Sequence, residues 1–117
     1  MHELALLHGV VAAVAKKATA IGATSVDSVT LRVGSLSGAI PEALAGAWPL
    51  AIDGTALEGA ELSIEMVQAA IWCPTCQACQ AIDEFYAWTC PVCGTASGQM
   101  VAGREFEVRT AEMTCKS

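Results

Sequence analysis

Positive charge is scarce in this sequence: six Lys and Arg stand against twelve Asp and Glu, a formal net charge of −6 at pH 7. Affinity for phosphate backbones comes from clustered cations, so no nucleic-acid partner is expected. A basic segment ahead of the apolar run near the N-terminus is missing too. Leu4 to Ala15 is apolar apart from His8, and Ala13-Val14-Ala15 resembles a cleavage site, but Met1-His2-Glu3 in front carries an acid and no base. Lys16 and Lys17 follow the run, which reverses the charge order of a secretory signal. A membrane span needs about 18 apolar residues, more than this run supplies before the lysines. The expectation is a soluble, cytoplasmic chain with no membrane partner, in which paired cysteines mean metal or catalysis rather than disulfides. Catalytic equipment is absent as well: no Ser/His/Asp arrangement or spaced carboxylate pair stands out, and none of the ten glycines forms a phosphate-cradling loop.

What the chain has is apolar surface, 54% of 117 residues, enough for one compact core with a small module attached. Leu4, Leu7, Val11, Val14, Ala18 and Ile21 recur at alternating steps of three and four, which predicts a helix with one buried face, ended by Gly22 as a left-handed cap. After a polar turn at Thr24-Ser25, Val29, Leu31 and Val33 alternate with Thr30 and Arg32 as in a strand, and Gly34-Ser35-Leu36-Ser37-Gly38 breaks that pattern. Pro41 suits the first turn of a second helix, with Leu44 and Trp48 on one side, and Pro49 is expected to kink or end it. Asp53-Gly54 reads as a turn. Leu62, Ile64 and Met66 then alternate with Glu61, Ser63 and Glu65 in a second strand, before the apolar phase shifts to Val67, Ala69 and Ile71 at a bulge or twist. Phe106 and Val108 alternate with Glu105, Glu107 and Arg109 in a final strand.

The expected fold is α+β: two helices packed on a small three-stranded sheet, with an inserted four-cysteine zinc-ribbon-like module. Residues 1-71 plus 99-117 would form the helix-and-sheet domain and 72-98 the module. Leu7, Val11, Val14, Val29, Leu31, Leu62 and Ile64 are its expected core.

Cys73-Pro74-Thr75-Cys76 and Cys90-Pro91-Val92-Cys93 each turn two sulfurs toward one point, and two such knuckles complete a tetrahedron. The 13 residues between Cys76 and Cys90 are slightly fewer than the common spacing but enough for a short hairpin. Pro after the first cysteine stiffens each turn, and Gly94 suits the positive φ that follows a knuckle. Four protein sulfurs leave no open coordination position, so the site reads as structural Zn2+. Buried thiols or a redox Cys-x-x-Cys are the competing readings, although one redox pair needs no duplicate. Cys76-Gln77-Ala78-Cys79 is also a Cys-x-x-Cys. The mirrored Cys-Pro-x-Cys form favours Cys73 with Cys76, leaving Cys79 and Cys115 as free thiols.

At the chain start, the α-amine, the backbone nitrogens of His2 and Glu3, and the His2 imidazole would place four nitrogens near one plane, a donor set that suits Ni(II) or Cu(II). His2 is too large for the usual removal of the initiator methionine, so the terminus is expected to begin at Met1. The plainer alternative is that His2 and Glu3 simply form the polar first turn of the helix, Glu3 being favoured by the helix dipole. His8 is expected to be a partly buried, hydrogen-bonded histidine rather than a ligand.

Met1-His2-Glu3-Leu4, Gly34-Ser35-Leu36-Ser37-Gly38, Gly54-Thr55 with Glu58-Gly59-Ala60, and the two cysteine pairs together resemble the HypA/HybF hydrogenase nickel-incorporation proteins over nearly the whole chain. The resemblance implies a metallochaperone and not an enzyme. Ni2+ would be carried at Met1, His2 and Glu3, making the helix-and-sheet part the nickel-binding domain, while structural Zn2+ sits at Cys73, Cys76, Cys90 and Cys93. Nickel would pass to the large subunit of a [NiFe]-hydrogenase with a nickel-handling GTPase as partner, or serve urease, and a homodimer is compatible with this. Two positions depart from the family pattern: Ser35, where Glu is frequent, and Pro49, in a segment that is usually helical. The alternative function is a zinc-ribbon adaptor that binds another protein and handles no nickel. A Cys-x-x-Cys oxidoreductase, with thiols that titrate in the absence of metal, is a third.

Overall fold

A computed structural model describes residues 2–83 and 88–116. The elements run α1 (Glu3–Ile21), β1 (Ala23–Gly34), α2 (Pro41–Ile52), β2 (Glu61–Val67), β3 (Ala70–Cys73), β4 (Ala78–Ala81), β5 (Met100–Ala102) and β6 (Phe106–Cys115). Two three-stranded sheets form, ordered β2-β1-β6 and β4-β3-β5. The α+β class expected from the sequence is therefore present, with a second small sheet that the sequence reading did not contain. The chain divides into two compact units, one of Met1–Arg32, Ala39–Glu65 and Glu107–Ser117, the other of Val33–Gly38 and Met66–Phe106. The cysteine segment 72-98 is the middle of the second unit, which also takes in the residues on either side of it.

In the first unit α1 buries Leu7, Val10, Val11, Val14 and Ala18 and packs against α2. Gly22 ends the helix at φ 73°, its N–H turned to the carbonyls of Ala18 and Thr19. The buried stripe stops short of Ile21, which is 48% exposed beside that cap. Because the helix runs on through Lys16 and Lys17, α1 is long and apolar enough by length and composition to cross a membrane, with a mean hydropathy of 1.5, contrary to the shorter run expected. His8 is exposed on α1 rather than partly buried, since it lies about 100° round the helix from Leu7, outside the Leu7–Val11–Val14 face.

β1 begins at Ala23, so Thr24 and Ser25 lie in the strand and not in a turn. Their polarity misleads because this stretch is matched by polar groups of β6: Thr24 Oγ1 donates to the Thr114 carbonyl at 3.0 Å and Ser28 Oγ to Glu112 Oε1 at 2.8 Å. Further along, Arg32 Nη1 donates to Glu107 Oε1 at 3.3 Å, so the two strands run antiparallel. Val29, Leu31 and Val33 on the alternate positions are fully buried.

Pro49 does not end α2, which continues to Ile52. The missing N–H costs one hydrogen bond in a final turn, while Trp48, Ala51 and Ile52 are buried in that same turn and hold it. Trp48 Nε1 donates to the Ala60 carbonyl at 2.8 Å. The loop that brings Ala60 there is built by Gly54-Thr55 and Glu58: Thr55 Oγ1 donates to the Ile52 carbonyl at 2.7 Å, and the Glu58 carboxylate accepts the Gly54 N–H at 2.7 Å. Leu62 and Ile64 are half-buried and not buried, since β2 is an edge strand. The expected phase shift is present: Met66 is 48% exposed, whereas Ala69 and Ile71 are fully buried.

The second unit has a small core of Ala69, Ile71 and Ile82, with Leu36 and Trp88 packed on it. The segment after β1 is tied by its backbone: the Gly34, Ser35 and Leu36 N–H groups donate to the carbonyls of Glu105, Val67 and Gly103 at 2.7, 2.8 and 2.7 Å. Ser35 adds a side-chain tie, its Oγ accepting the Ala69 N–H at 2.9 Å. Here a Cβ on Gly34 would run into the carbonyl of Gly103, a backbone group with no room to turn away. Gly34→Ala is expected to lower the unfolding free energy by about 1–3 kcal/mol, as overpacking does. Gly9→Ala, at an open position of α1, is expected to raise it by up to about 1 kcal/mol. Urea denaturation of the two variants checks both signs.

Candidate metal centre

Each pair of cysteines sits at the tip of a hairpin. β3 and β4 pair antiparallel with Cys73 opposite Ala78, so Pro74 to Gln77 form the turn. Gln77 takes φ 53°, an unfavourable value for a residue with a side chain, and the Cys76 N–H turns back to Cys73 Sγ at 3.3 Å. The second hairpin is fastened by a bridge between Thr89 and Ala96, by the Cys90 N–H to the Thr95 carbonyl at 2.9 Å, and by the Ser97 N–H to the Trp88 carbonyl at 2.9 Å. Gly94, at φ 77°, closes the knuckle with its N–H on the Cys90 carbonyl at 2.8 Å, as the Cys-x-x-Cys-Gly pattern predicts. The hairpins are joined by Trp72, whose N–H donates to the Gln99 carbonyl at 3.0 Å and whose carbonyl accepts Ser97 Oγ at 2.6 Å.

The four sulfurs of Cys73, Cys76, Cys90 and Cys93 lie within 4.8 Å of one another. Cys73 Sγ is 3.5 Å from Cys93 Sγ, and Cys76 Sγ is 3.8 Å from Cys90 Sγ, so each contact joins one knuckle to the other. Sulfurs about 2.3 Å from the centre of a tetrahedron stand about 3.8 Å apart, which these distances match. The donor set and spacing therefore fit a four-coordinate metal ion with no position left for water. Cys79 is exposed on β4 opposite Trp72, on the face away from Cys73, and Cys115 is exposed at the end of β6. The structure thus gathers the Cys73–Cys76 pair and leaves the overlapping Cys76–Cys79 pair apart.

Without metal, Cys93 and Cys76 are shifted in opposite directions. Cys93 is held down to about 6 by the Thr95 hydroxyl and then by the Thr95 backbone N–H. Cys76 is pushed up to about 12 by sharing its proton with Cys93 and Cys90 and by desolvation. Thr95 Oγ1 lies 3.2 Å from Cys93 Sγ and also 2.9 Å from Thr75 Oγ1, so its single proton serves one neighbour at a time. Neither threonine was singled out in the sequence. The available signal was their place, one inside the first knuckle and one just past the second.

The N-terminal residues are placed differently. His2 is the residue ahead of α1, exposed, with no side-chain capping bond, and its carbonyl accepts the Leu6 N–H at 3.0 Å. Glu3 opens the helix and is buried, 7% exposed. Met1, the remaining nickel candidate, lies outside the described residues.

Fold and site define the class: an α+β protein with a four-cysteine metal module. The chain belongs to the family described as HypA, hydrogenase/urease nickel incorporation, metallochaperone, whose model matches residues 1–113. Relatives include the hydrogenase maturation factors HypA of Chloroflexus aggregans, 37% identical over 112 residues and covering 96% of this chain and 98% of that one, and of Methylocella silvestris, 40% identical over 113 residues with 97% and 99% covered. In fold the chain is similar to the solution structure of the Ni metallochaperone HypA from Helicobacter pylori, with a TM-score of 0.68, 17% identity, and 99% and 100% of the two chains covered. A second HypA solution structure gives a TM-score of 0.73 at 18% identity, with 99% and 98% covered.

The ionisation of the cysteines generates a test. Cys93 falls from the ordinary 9.0 to about 6 in the folded, metal-free protein, so the stability this provides is fully present above about pH 9 and is lost as pH falls through 6. Cys76, raised from 9.0 to about 12, acts with the opposite sign: its contribution is present below about pH 9 and lost as pH rises toward 12. Thiolate absorbance of the chelated protein should show its first step near pH 6. Thr95→Val should move that step upward and Cys93→Ser should remove it; an unmoved step in Thr95→Val would take the cause away from Thr95.

Proposed function

We propose that this chain is a nickel metallochaperone of hydrogenase maturation, carrying Ni2+ at Met1, His2 and Glu3 and holding a structural Zn2+ at Cys73, Cys76, Cys90 and Cys93. The observation that carries the nickel part is the state of His2, an exposed imidazole without a capping bond at the head of α1, in a chain whose family match begins at residue 1. The first N–H groups of a helix have no intrahelical partner, so the backbone nitrogens of His2 and Glu3 can bind metal without breaking a helical hydrogen bond. With the α-amine and the imidazole they make four nitrogens near one plane, which suits Ni(II). Zinc is favoured at the cysteines because the all-sulfur, four-coordinate donor set matches its structural sites. It would supply folding free energy and the tie between the two hairpins, with no reacting water.

Delivery on this reading needs no catalytic residue. An open site at a terminus is exchanged by a partner's ligands, the partners being a nickel-handling GTPase and the hydrogenase large subunit in a reducing cytoplasm that keeps the thiols free. Service to urease rests on the family description alone.

Metal analysis of the purified, untagged protein tests both assignments. His2→Ala should lose Ni2+ and keep one zinc per chain, and an N-terminal extension, which turns the α-amine into an amide, should weaken nickel as much. Cys90→Ser should lose zinc and loosen the second unit, since structural zinc contributes on the order of 10 kcal/mol in small modules. Nickel binding should weaken as the solution is acidified, because protons compete with the metal for nitrogen donors. If His2→Ala bound nickel as the parent does and still supported hydrogenase maturation, the protein-binding adaptor would become the leading reading.

A further inference from the structure

The first unit has an open groove of about 510 Å³ between α1 and β6. Its β6 wall includes four consecutive residues, Val108, Arg109, Thr110 and Ala111. Burial along β6 changes phase between Val108 and Ala111, with Arg109 and Thr110 both exposed, so these four residues span an irregularity of the strand where the cavity reaches it. β6 is the last strand of its sheet and ten residues long. Among the described strands none lies beside its outer edge, so its outward N–H and C=O groups are open to pairing.

The opposite wall is α1, where Ile21 is 48% exposed at the groove. The charge there runs against the rest of the chain: with twelve acidic residues against six basic in the sequence, the lining holds no carboxylate and two cations, Lys17 and Arg109. Arg109 is already bridged to Glu65 at 2.9 Å. Lys17 is exposed and has no carboxylate partner among the described residues.

We propose that the β6 edge is a docking strand for an extended segment of a partner protein that carries apolar and acidic side chains together on the one face it turns to α1. The segment adds to the sheet as a fourth strand through main-chain hydrogen bonds, its apolar side chains enter the groove against Ile21 and Met113, and its carboxylates meet Lys17. Main-chain pairing supplies affinity that is indifferent to sequence, and the groove and Lys17 supply the selection. The proposal does not depend on either metal assignment.

The test uses the full-length, metal-replete protein and a short fluorescein-labelled Val–Glu peptide, in which Val and Glu take turns at every second position with Thr between them, and a Val–Lys counterpart with Lys in place of each Glu. Fluorescence polarisation should show the Val–Glu peptide binding about tenfold more tightly than the Val–Lys peptide, and Lys17→Glu should reverse that order. Amide hydrogen exchange should slow at alternate residues of 108–113 on adding the Val–Glu peptide, and should not slow along β2, the other edge of the same sheet. Absence of protection at β6 with millimolar peptide, equal protection of β2, or a preference unchanged in Lys17→Glu overturns the proposal. A concentration-dependent dimer seen by light scattering, with the β6 amides already protected in the free protein, overturns it in favour of a second copy of this chain.

Discussion

The second unit depends on four sulfurs being held within 4.8 Å of one another. Its apolar core, Ala69, Ile71 and Ile82 with Leu36 and Trp88 against them, is too small to fix two hairpins by burial alone. The short sulfur contacts run from one knuckle to the other, Cys73 to Cys93 and Cys76 to Cys90, so whatever joins the sulfurs also joins the hairpins. Four thiolates at such spacing repel, and without a cation they do not ionise together. The metal-free cluster settles into unlike members, Cys93 low beside Thr95 and Cys76 high among its neighbours. A divalent ion removes the conflict by balancing the charge that the cluster otherwise suppresses, so the geometry of this unit and its demand for metal are one constraint.

The parts of the fold that sequence revealed are those where one periodicity and one burial pattern coincide. The Leu7–Val11–Val14–Ala18 face of α1, the Gly22 cap and the Val29–Leu31–Val33 face of β1 are of this kind, as is the phase change between Met66 and Ala69. The knuckles were legible too, because spacing alone dictates that their sulfurs converge. The failures have a common cause in partners remote in sequence. Thr24 and Ser25 look like a turn until Thr114 and Glu112 are seen to answer the polar groups of β1. Pro49 looks like a stop until the burial of Ala51 and Ile52 beyond it is known. Leu62 and Ile64 are half exposed because β2 lies at the edge of its sheet, and strand order is not local information. Thr75 and Thr95, twenty residues apart, were not singled out for the same reason.

The two short motifs in mid-chain that strengthened the family resemblance turn out to serve the fold. Gly54-Thr55 with Glu58 shapes the loop that presents the Ala60 carbonyl to Trp48. Gly34-Ser35-Leu36 carries the chain past Gly103 at a separation only glycine permits, with Ser35 tying down Ala69. Ser35 therefore has a structural occupation of its own here, a hydroxyl accepting a backbone N–H, which accounts for it apart from the proposed nickel site. Pro49 likewise leaves α2 whole.

On the proposed reading the chain handles two divalent ions of similar size, and it must keep its cargo out of its structural site. Intrinsic affinity does not separate them, since nickel and zinc stand close in the general order of ligand binding and geometry has to decide. The cysteine site has four sulfur donors from two hairpins fastened by backbone hydrogen bonds, so it imposes a tetrahedron, which costs zinc nothing because a filled d shell has no preferred shape. Nickel bound to deprotonated backbone nitrogen prefers a plane, which the knuckles cannot provide without breaking the Thr89–Ala96 bridge or the β3–β4 register. The terminus can provide it, because the N–H groups ahead of the Leu6 bond are not used by the helix. The difference extends to release. A site closed by four residues on two hairpins must loosen the second unit to give up its ion, whereas a site on the first residues of a chain is taken apart one donor at a time by an incoming ligand. The same arrangement that keeps the zinc makes the nickel transferable.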